Sequence, residues 1–153
     1  MRKILFLLAL FMSSTLCAAP LQEGDAAPLI ELKDQFDKSV LINEQTKMIL
    51  FAAEKSTSEQ VTKALEGLPP NALVDKGAIY IADISGMPGF ITKMVAIPRM
   101  QKLAYTVALI RSSKESEFLP KKTGAVTLIQ IEAGKVKNVA YISGEAEIAQ
   151  TLK

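Results

Sequence analysis

Two uninterrupted apolar runs of strand length constrain the fold of this chain most strongly. They span residues 48–52 and 78–82, and the segment between them has helical periodicity, with Val61, Ala64 and Leu65 on one face. A strand that is apolar at every position is typical of the centre of a sheet that is covered on both faces. Two such strands separated by a helix predict a βαβ-type unit.

Weaker patterns on either side of this unit extend the sheet and complete the domain. Residues 29–32 and 40–42 predict an N-terminal β-hairpin, and residues 126–142 predict a second hairpin. The other predicted elements are a helix that begins near Pro88 and is broken or restarted at Pro98, a strand over 105–110, a polar connection over 111–123 and a terminal helix over 145–152. This order predicts an α/β fold with three layers, in which helices flank a central mixed sheet.

The first residues have the pattern of a secretory signal peptide. Two basic residues precede nine apolar residues at 4–12, and small residues end the segment at 17–19. Nine residues are too few to span a bilayer core, which needs about 20 in a helix. We therefore expect cleavage after Ala18 or Ala19 and no stable membrane insertion. Residues 1–18 are the predicted signal peptide, and the rest of the chain is expected to be periplasmic.

A single cysteine and the absence of histidine limit the chemistry of the remaining domain, residues 19–153. Cys17 lies in the predicted signal peptide. A lipid-modified cysteine at the mature N-terminus is the other interpretation, although Leu16 stands where lipoprotein signals need a small residue. In either case the domain has no thiol for a disulfide or for catalysis. Without histidine it also lacks the commonest metal ligand and general base, so no cofactor and no metal site are expected.

The charge of the mature domain bears on its partners. Removing Arg2 and Lys3 from 18 basic residues leaves as many basic as acidic residues, 16 of each. A neutral domain gives no electrostatic reason to bind nucleic acid or an anionic membrane. We therefore expect the partner to be a periplasmic or envelope protein.

Three segments, in this order, resemble the thioredoxin-like superfamily. The sequence EGDAAPLIELKDQFDKSV (residues 23–40) is similar to the G-x-x-A-P-x-F-x-L-x-D-x-x-G-K opening of peroxiredoxins and exported thiol-disulfide oxidoreductases. MILFAAEKSTSEQV (48–61) resembles the strand and active-site helix that usually carry F-W-A-x-W-C-x-x-C, and TGAVTLIQIEAGKV (123–136) resembles the later G-x-P-T hairpin. The likeness covers residues 22–152, favours the peroxiredoxin-like branch, and extends to the exported, cysteine-free YtfJ-like group. It implies a thioredoxin-like fold.

Carried over residue by residue, the resemblance places the two catalytic cysteines on Ser56 and Glu59 and the family's cis-proline on Val126. A serine without a base is a poor nucleophile, so thiol-disulfide and peroxidase activity are excluded and no catalytic residue is assigned. The implied role is a redox-inactive binding or adaptor protein that uses the degenerate active-site groove. The predicted binding residues are Ser56, Thr57, Ser58, Glu59, Ala125 and Val126.

Local physical chemistry adds two expectations at these positions. Residues 56–59 have the S-x-x-E pattern of a capping box, in which Ser56 and Glu59 would close the N-terminus of the helix. The alternative is a small anion held by the backbone N–H groups of Ser56, Thr57 and Ser58. A non-proline cis bond costs about 3–4 kcal/mol, so the bond before Val126 should be trans.

Two other classes of function stay open. One is a non-thiol enzyme with a carboxylate, Asp83 or Glu59, at the C-terminal edge of the sheet, where α/β proteins bind ligands. The other is a metal carrier that uses Met87, Met94 and Met100, the first two of which would share a helix face. Core or groove packing is the favoured role for these methionines. A shallow apolar groove would favour binding, and a deep pocket that collects carboxylates would favour an enzyme.

Overall fold

The computed structural model describes residues 19–153, which form a mixed sheet of seven strands. The predicted signal peptide, residues 1–18, lies outside the described residues. The strands are β1 (Ile30–Asp34), β2 (Ser39–Ile42), β3 (Met48–Ala52), β4 (Ala78–Asp83), β5 (Ala108–Ile110), β6 (Val126–Glu132) and β7 (Lys135–Ile142). Their order across the sheet is β2-β1-β5-β4-β3-β6-β7. The pairs β3–β4 and β4–β5 are parallel, and the other pairs are antiparallel.

The helices differ in length and regularity. They are α1 (Lys55–Glu66), α2 (Ala72–Asp75), α3 (Gly89–Ile91), a π-helix (Thr92–Ala96), α4 (Ile97–Met100), a 3-10 helix (Ser113–Ser116) and α5 (Glu145–Thr151). The three segments from α3 to α4 follow one another without a break, and we refer to them together as helix 89–100. Within residues 19–153, no helix is both long and apolar enough to cross a membrane.

The predicted mixed sheet and its N-terminal hairpin are confirmed. β3 has the predicted bounds, and Phe51 in it pairs with Ile81 of β4 in parallel and with Thr127 of β6 in antiparallel fashion. β3 is therefore a central strand, as its apolar run predicted. The strand predicted over 105–110 is shorter, and α2 was not predicted, because a single helical turn has too little periodicity to detect.

The two faces of the sheet are covered differently. Alternate residues of a strand point to opposite faces, so Leu50 and Ala52 join one core cluster while Ile49 and Phe51 join the other. The buried apolar residues of α1, α2 and α5 pack in or beside the first cluster. The second face is covered by Leu21, Ala27, Phe118 and Leu119, which belong to the N-terminal segment and the connection before β6.

Helix 89–100 continues through Pro98, where the sequence predicted a break or restart. Proline has no N–H, and its ring collides with the carbonyl four residues earlier in a regular α-helix. Here the preceding turns are widened, since the N–H of Ile97 donates to the carbonyl of Thr92, five residues back. A π-segment of this kind explains how the helix continues through a proline. Within the whole helix no residue is fully buried, which leaves its apolar side chains available.

Candidate functional site

The helix that carries the thioredoxin-like active-site positions has its N-cap two residues earlier than predicted. Its N-cap is Glu54, so Ser56 already lies inside the first turn and cannot be the cap. Thr57 Oγ1 accepts a hydrogen bond from the N–H of Glu54 at 3.1 Å and donates to the carbonyl of Glu54 at 2.8 Å. The predicted Ser56–Glu59 capping box is therefore wrong. Glu59 instead forms an ion pair with Lys55, at 3.8 Å.

The carboxylate of Glu54 lies where an anion would bind at the start of α1. Glu54 Oε2 accepts hydrogen bonds from the N–H of Gly124 at 3.3 Å and from Ser56 Oγ at 3.4 Å. The N–H of Ser58 donates to the carbonyl of Glu54 at 2.9 Å. An acidic group at a helix N-terminus is favoured by the helix dipole. The N–H of Ser58 is thus used within the helix, and the carboxylate of Glu54 stands beside Ser56, where its charge opposes the anion expected on Ser56, Thr57 and Ser58.

The six predicted binding residues do not form one accessible surface. Ala125, Val126 and Thr57 are buried, whereas Ser56 and Glu59 are exposed. Val126 begins β6, pairs with Ile142 of β7 and contributes to the first core cluster. The peptide bonds of residues 19–153 include no cis bond, so the bond before Val126 is trans as predicted. A ligand could reach the exposed residues, but the side chain of Val126 faces the core.

A groove lies instead between α1 and helix 89–100, at the carboxyl end of β4. We call it the edge groove, and its cavity volume is about 570 Å³. Its apolar wall consists of Met87, Ile91, Val95, Ala96, Met100 and Leu103. Its polar wall consists of the α1 residues Lys55, Ser58, Glu59, Thr62, Lys63 and Glu66. Two of the predicted binding residues, Ser58 and Glu59, therefore line it. A volume of this size lies within the range of small-ligand sites in proteins.

A buried tyrosine holds the polar wall in place. The hydroxyl of Tyr80 lies 2.7 Å from Ser58 Oγ, and the ring of Tyr80 is 6.3 Å from that of Tyr105. Burial raises the pKa of Tyr80 well above its ordinary value, although the hydrogen bond with Ser58 opposes this. Burial also raises the pKa of Tyr105, whose hydroxyl finds no hydrogen-bond partner within the described chain. Both phenols are therefore kept protonated beside the groove.

These raised pKa values predict a loss of stability in alkali. An unfolded tyrosine ionises near pH 10, whereas folded Tyr80 ionises only at higher pH. The unfolded state therefore releases protons first, so stability is full below about pH 10 and falls as the pH rises through the folded pKa. We expect the free energy of unfolding to fall by about 1.4 kcal/mol per pH unit for Tyr80 in this window. Urea titrations above pH 10 measure the slope, which should become shallower in Tyr80→Phe; an unchanged slope would contradict it.

The two carboxylates considered for catalysis also line the edge groove, but each is held locally. Asp83 Oδ1 accepts hydrogen bonds from the N–H and the hydroxyl of Ser85, at 2.9 and 2.7 Å. This geometry makes Asp83 a turn-forming residue at the end of its strand. Glu59 is paired with Lys55 across one helical turn. Because both carboxylates are engaged by their own neighbours and the facing wall is apolar, the groove favours binding over acid–base chemistry.

The structure does not bring the three methionines together. Met87 lies in the turn before helix 89–100, so the prediction that it shares a helix face with Met94 is wrong. Met87 and Met100 line the edge groove and pack against the first core cluster. Met94 is 64% exposed and is absent from the lining of the groove, so core or groove packing was a correct expectation for two of the three.

Solved structures of other proteins have a fold similar to that of this chain. A candidate protein disulfide isomerase from Bacteroides thetaiotaomicron is 15% identical, with a TM-score of 0.59 and 86% of each chain covered. Peroxidoxin BcpB from Mycobacterium tuberculosis is also 15% identical, with a TM-score of 0.58, and the alignment covers 86% of this chain and 94% of that one. The fold is thioredoxin-like.

A third neighbour agrees with this assignment. The thioredoxin domain of a thiol-disulfide oxidoreductase from Bacteroides vulgatus is 20% identical, with a TM-score of 0.57, and the alignment covers 86% of this chain and 96% of that one. At such identities the likeness concerns the fold. A scan against protein-family models and a search of curated proteins find no match. The thioredoxin-like fold that the sequence resemblance implied is thereby confirmed.

Sequence reasoning missed the apolar wall of the edge groove. The helical spacing of Ile91 and Val95 was visible, but periodicity identifies a face without saying what that face meets. Two further signals were present in the same segment. Pro98 stands inside an apolar helical pattern, and no acidic residue occurs between Asp83 and Glu115. Together they mark this helix as unusual, since ordinary surface helices mix charges of both signs.

Proposed function

We propose that this protein is an exported, redox-inactive domain of thioredoxin-like fold that acts as a periplasmic binding or adaptor protein. The edge groove is its binding surface. The observation that carries the proposal is an accessible, mainly apolar cavity of about 570 Å³ between α1 and helix 89–100.

Redox inactivity is supported by the residues at the two positions where the resemblance expects cysteines. Ser56 and Glu59 occupy them, and the chain's one cysteine is Cys17. Thiol-disulfide exchange needs a thiolate that attacks a disulfide sulfur, and neither residue can supply one. Without a thiol, a protein of this fold can still bind another molecule, because oxidoreductases of this fold must also hold their substrates.

Export is supported by the pattern of residues 1–18. A domain without cysteine suits an oxidising compartment, since it has no thiol there to mispair. Cleavage after Ala18 or Ala19 would leave the domain free in the periplasm.

The shape and lining of the groove indicate what it accepts. The apolar wall contains Ile91 and Val95, while Lys63 and Glu66 stand on the facing helix. An apolar side chain or short helix of a partner could bury its surface on the first wall and meet polar groups on the second. Burial of one large apolar side chain contributes about 1.5–3 kcal/mol. Grooves of this kind commonly receive peptide segments of other proteins.

In-cell photo-crosslinking tests the proposal. A photoreactive amino acid at Ile91 should give a discrete protein adduct in the periplasmic fraction, and the same probe at the distant strand residue Lys137 should not. Val95→Arg should lower the yield at Ile91 at least about tenfold, because it places a charge on the apolar wall. Val74→Arg is the matched control, since Val74 is 79% exposed on α2, outside the groove. Equal loss in both variants, or no adduct from an exported and folded protein, would contradict the proposal.

A further inference from the structure

The outer side of helix 89–100 exposes apolar surface that the edge groove does not use. Phe90 is 72% exposed and Met94 is 64% exposed. They are four residues apart, so they lie on one face, and the exposed Pro98 follows four residues later. We call these three residues the outer ridge. Ile91 and Val95, by contrast, turn toward the edge groove and line it. The outer ridge is therefore convex and points away from the domain.

The charged residues that lie near the outer ridge in the sequence are all basic. Residues 84–110 contain Lys93, Arg99 and Lys102 and no aspartate or glutamate. All three cations are exposed, and none forms an ion pair within the part of the chain that the structure describes. Lys93 and Arg99 lie on the two flanks of the helix, since Arg99 lines the edge groove and Lys93 lines a separate cavity. A cation thus lies on each flank of the helix. Acidic side chains share both cavities: Asp37 beside Lys93 is paired with Arg111, and the edge groove holds Glu59, paired with Lys55, together with Asp83 and Glu66.

We propose that helix 89–100 attaches the domain to the surface of an anionic phospholipid bilayer. Phe90 and Met94 insert among the lipid headgroups, and Lys93, Arg99 and Lys102 contact the lipid phosphates. Helices that lie in a membrane interface combine these features, with aromatic and aliphatic side chains on one face and cations at its borders. The attachment is peripheral and reversible, which agrees with the absence of a membrane-spanning helix in residues 19–153.

Charge and shape favour a bilayer over the other occupants of this surface. A second copy would bring the three cations against the same three cations, which an isologous interface does not tolerate well. A peptide segment suits the concave edge groove better than a convex ridge. The balance of charge over the mature domain is no obstacle, because screening limits each interaction to about 10 Å. Of the acidic residues in the two flanking cavities, Glu59 and Asp37 are already paired with Lys55 and Arg111. The expectation from net charge alone therefore overlooks a local basic and apolar surface.

Vesicle sedimentation with the purified, intact protein tests the attachment. We expect binding to vesicles of phosphatidylglycerol and phosphatidylcholine, weak binding to phosphatidylcholine alone, and release by high salt. Phe90→Ser with Met94→Ser should lower the partition coefficient at least about tenfold. Lys93→Gln with Arg99→Gln should lower it about 25-fold, since each cation near an anionic surface contributes about a factor of five. Thermal unfolding of each variant confirms that it is folded.

The controls separate this proposal from that for the edge groove. Leu29→Ser with Val74→Ser removes two equally exposed apolar side chains elsewhere and should leave vesicle binding unchanged. Val95→Arg, which damages the edge groove, should also retain it. Equal binding to both kinds of vesicle, or full binding by the Phe90 and Met94 variant, would overturn the proposal. A photoreactive probe at Phe90 that crosslinks a protein and no lipid in cells would assign the ridge to a protein interface and overturn it as well.

Discussion

Phe51→Ala is expected to lower the free energy of unfolding by about 3–5 kcal/mol, the largest loss of stability that we anticipate from a single substitution. Phe51 is fully buried in the central strand β3 and belongs to the second core cluster. Its strand is paired on both sides, by β4 and β6, so the backbone has little freedom to collapse into the cavity that alanine would leave. A domain of this size has about 5–15 kcal/mol of stability in total.

Denaturant titration of Phe51→Ala measures this loss, and Phe90→Ala provides the matched control. The control replaces phenylalanine by alanine in the same way, but on helix 89–100, where Phe90 is 72% exposed. We expect its substitution to alter stability by less than about 0.5 kcal/mol. Similar losses in the two variants would mean that Phe90 is covered in the folded protein, and would contradict both the fold and the exposure of the outer ridge.

Adding Glu54→Gln to Ser56→Cys is expected to speed alkylation of the introduced thiol at neutral pH by at least about tenfold. Helix N-termini lower a thiol pKa, and active relatives of this fold depend on that effect. Here Glu54 Oε2 lies 3.4 Å from Ser56 Oγ, and a neighbouring carboxylate favours the neutral thiol. The single variant should therefore react slowly. Glutamine keeps an acceptor for the N–H of Gly124 while removing the charge.

Iodoacetamide labelling followed by mass spectrometry of the peptide that contains residue 56 measures both rates. Reading that peptide alone excludes any contribution from Cys17. The introduced thiol has the same position in both variants, so the comparison isolates the charge of Glu54. Rapid and equal labelling of the two variants would show that Glu54 does not control this helix end, and that the position remains competent for thiol chemistry.

The sheet was predictable because its strongest signals are local. The apolar runs that became β3 and β4 can only be buried, and a helix between them requires a parallel connection. The hairpin formed by β6 and β7 was equally visible. The short helix α2 carries too few turns to show a period, and the cap of α1 lies two residues before the predicted cap, Ser56. The cap depends on two hydrogen bonds between Glu54 and Thr57, whereas the sequence pattern pointed to Ser56 and Glu59.

The candidate site was predictable only in part, for a related reason. The resemblance identified the helix that carries Ser58 and Glu59, and both line the edge groove. It also pointed to Val126, but that residue pairs with Ile142 of β7 and its side chain is fully buried in the first core cluster. The opposite wall of the groove depends on where helix 89–100 lies in space. Nothing in the local pattern of Ile91 or Val95 specifies that position.

We propose the edge groove as the binding surface, in place of the positions where the resemblance expects the catalytic cysteines. Photo-crosslinking from Ile91 and from Ser56 in the same exported protein tests it most directly, because the two probes differ only in position. We expect a strong protein adduct from Ile91 and little or none from Ser56, because Ser56 lies outside the lining of the edge groove. A strong adduct from Ser56 with none from Ile91 would contradict it, and would return the binding site to the start of α1.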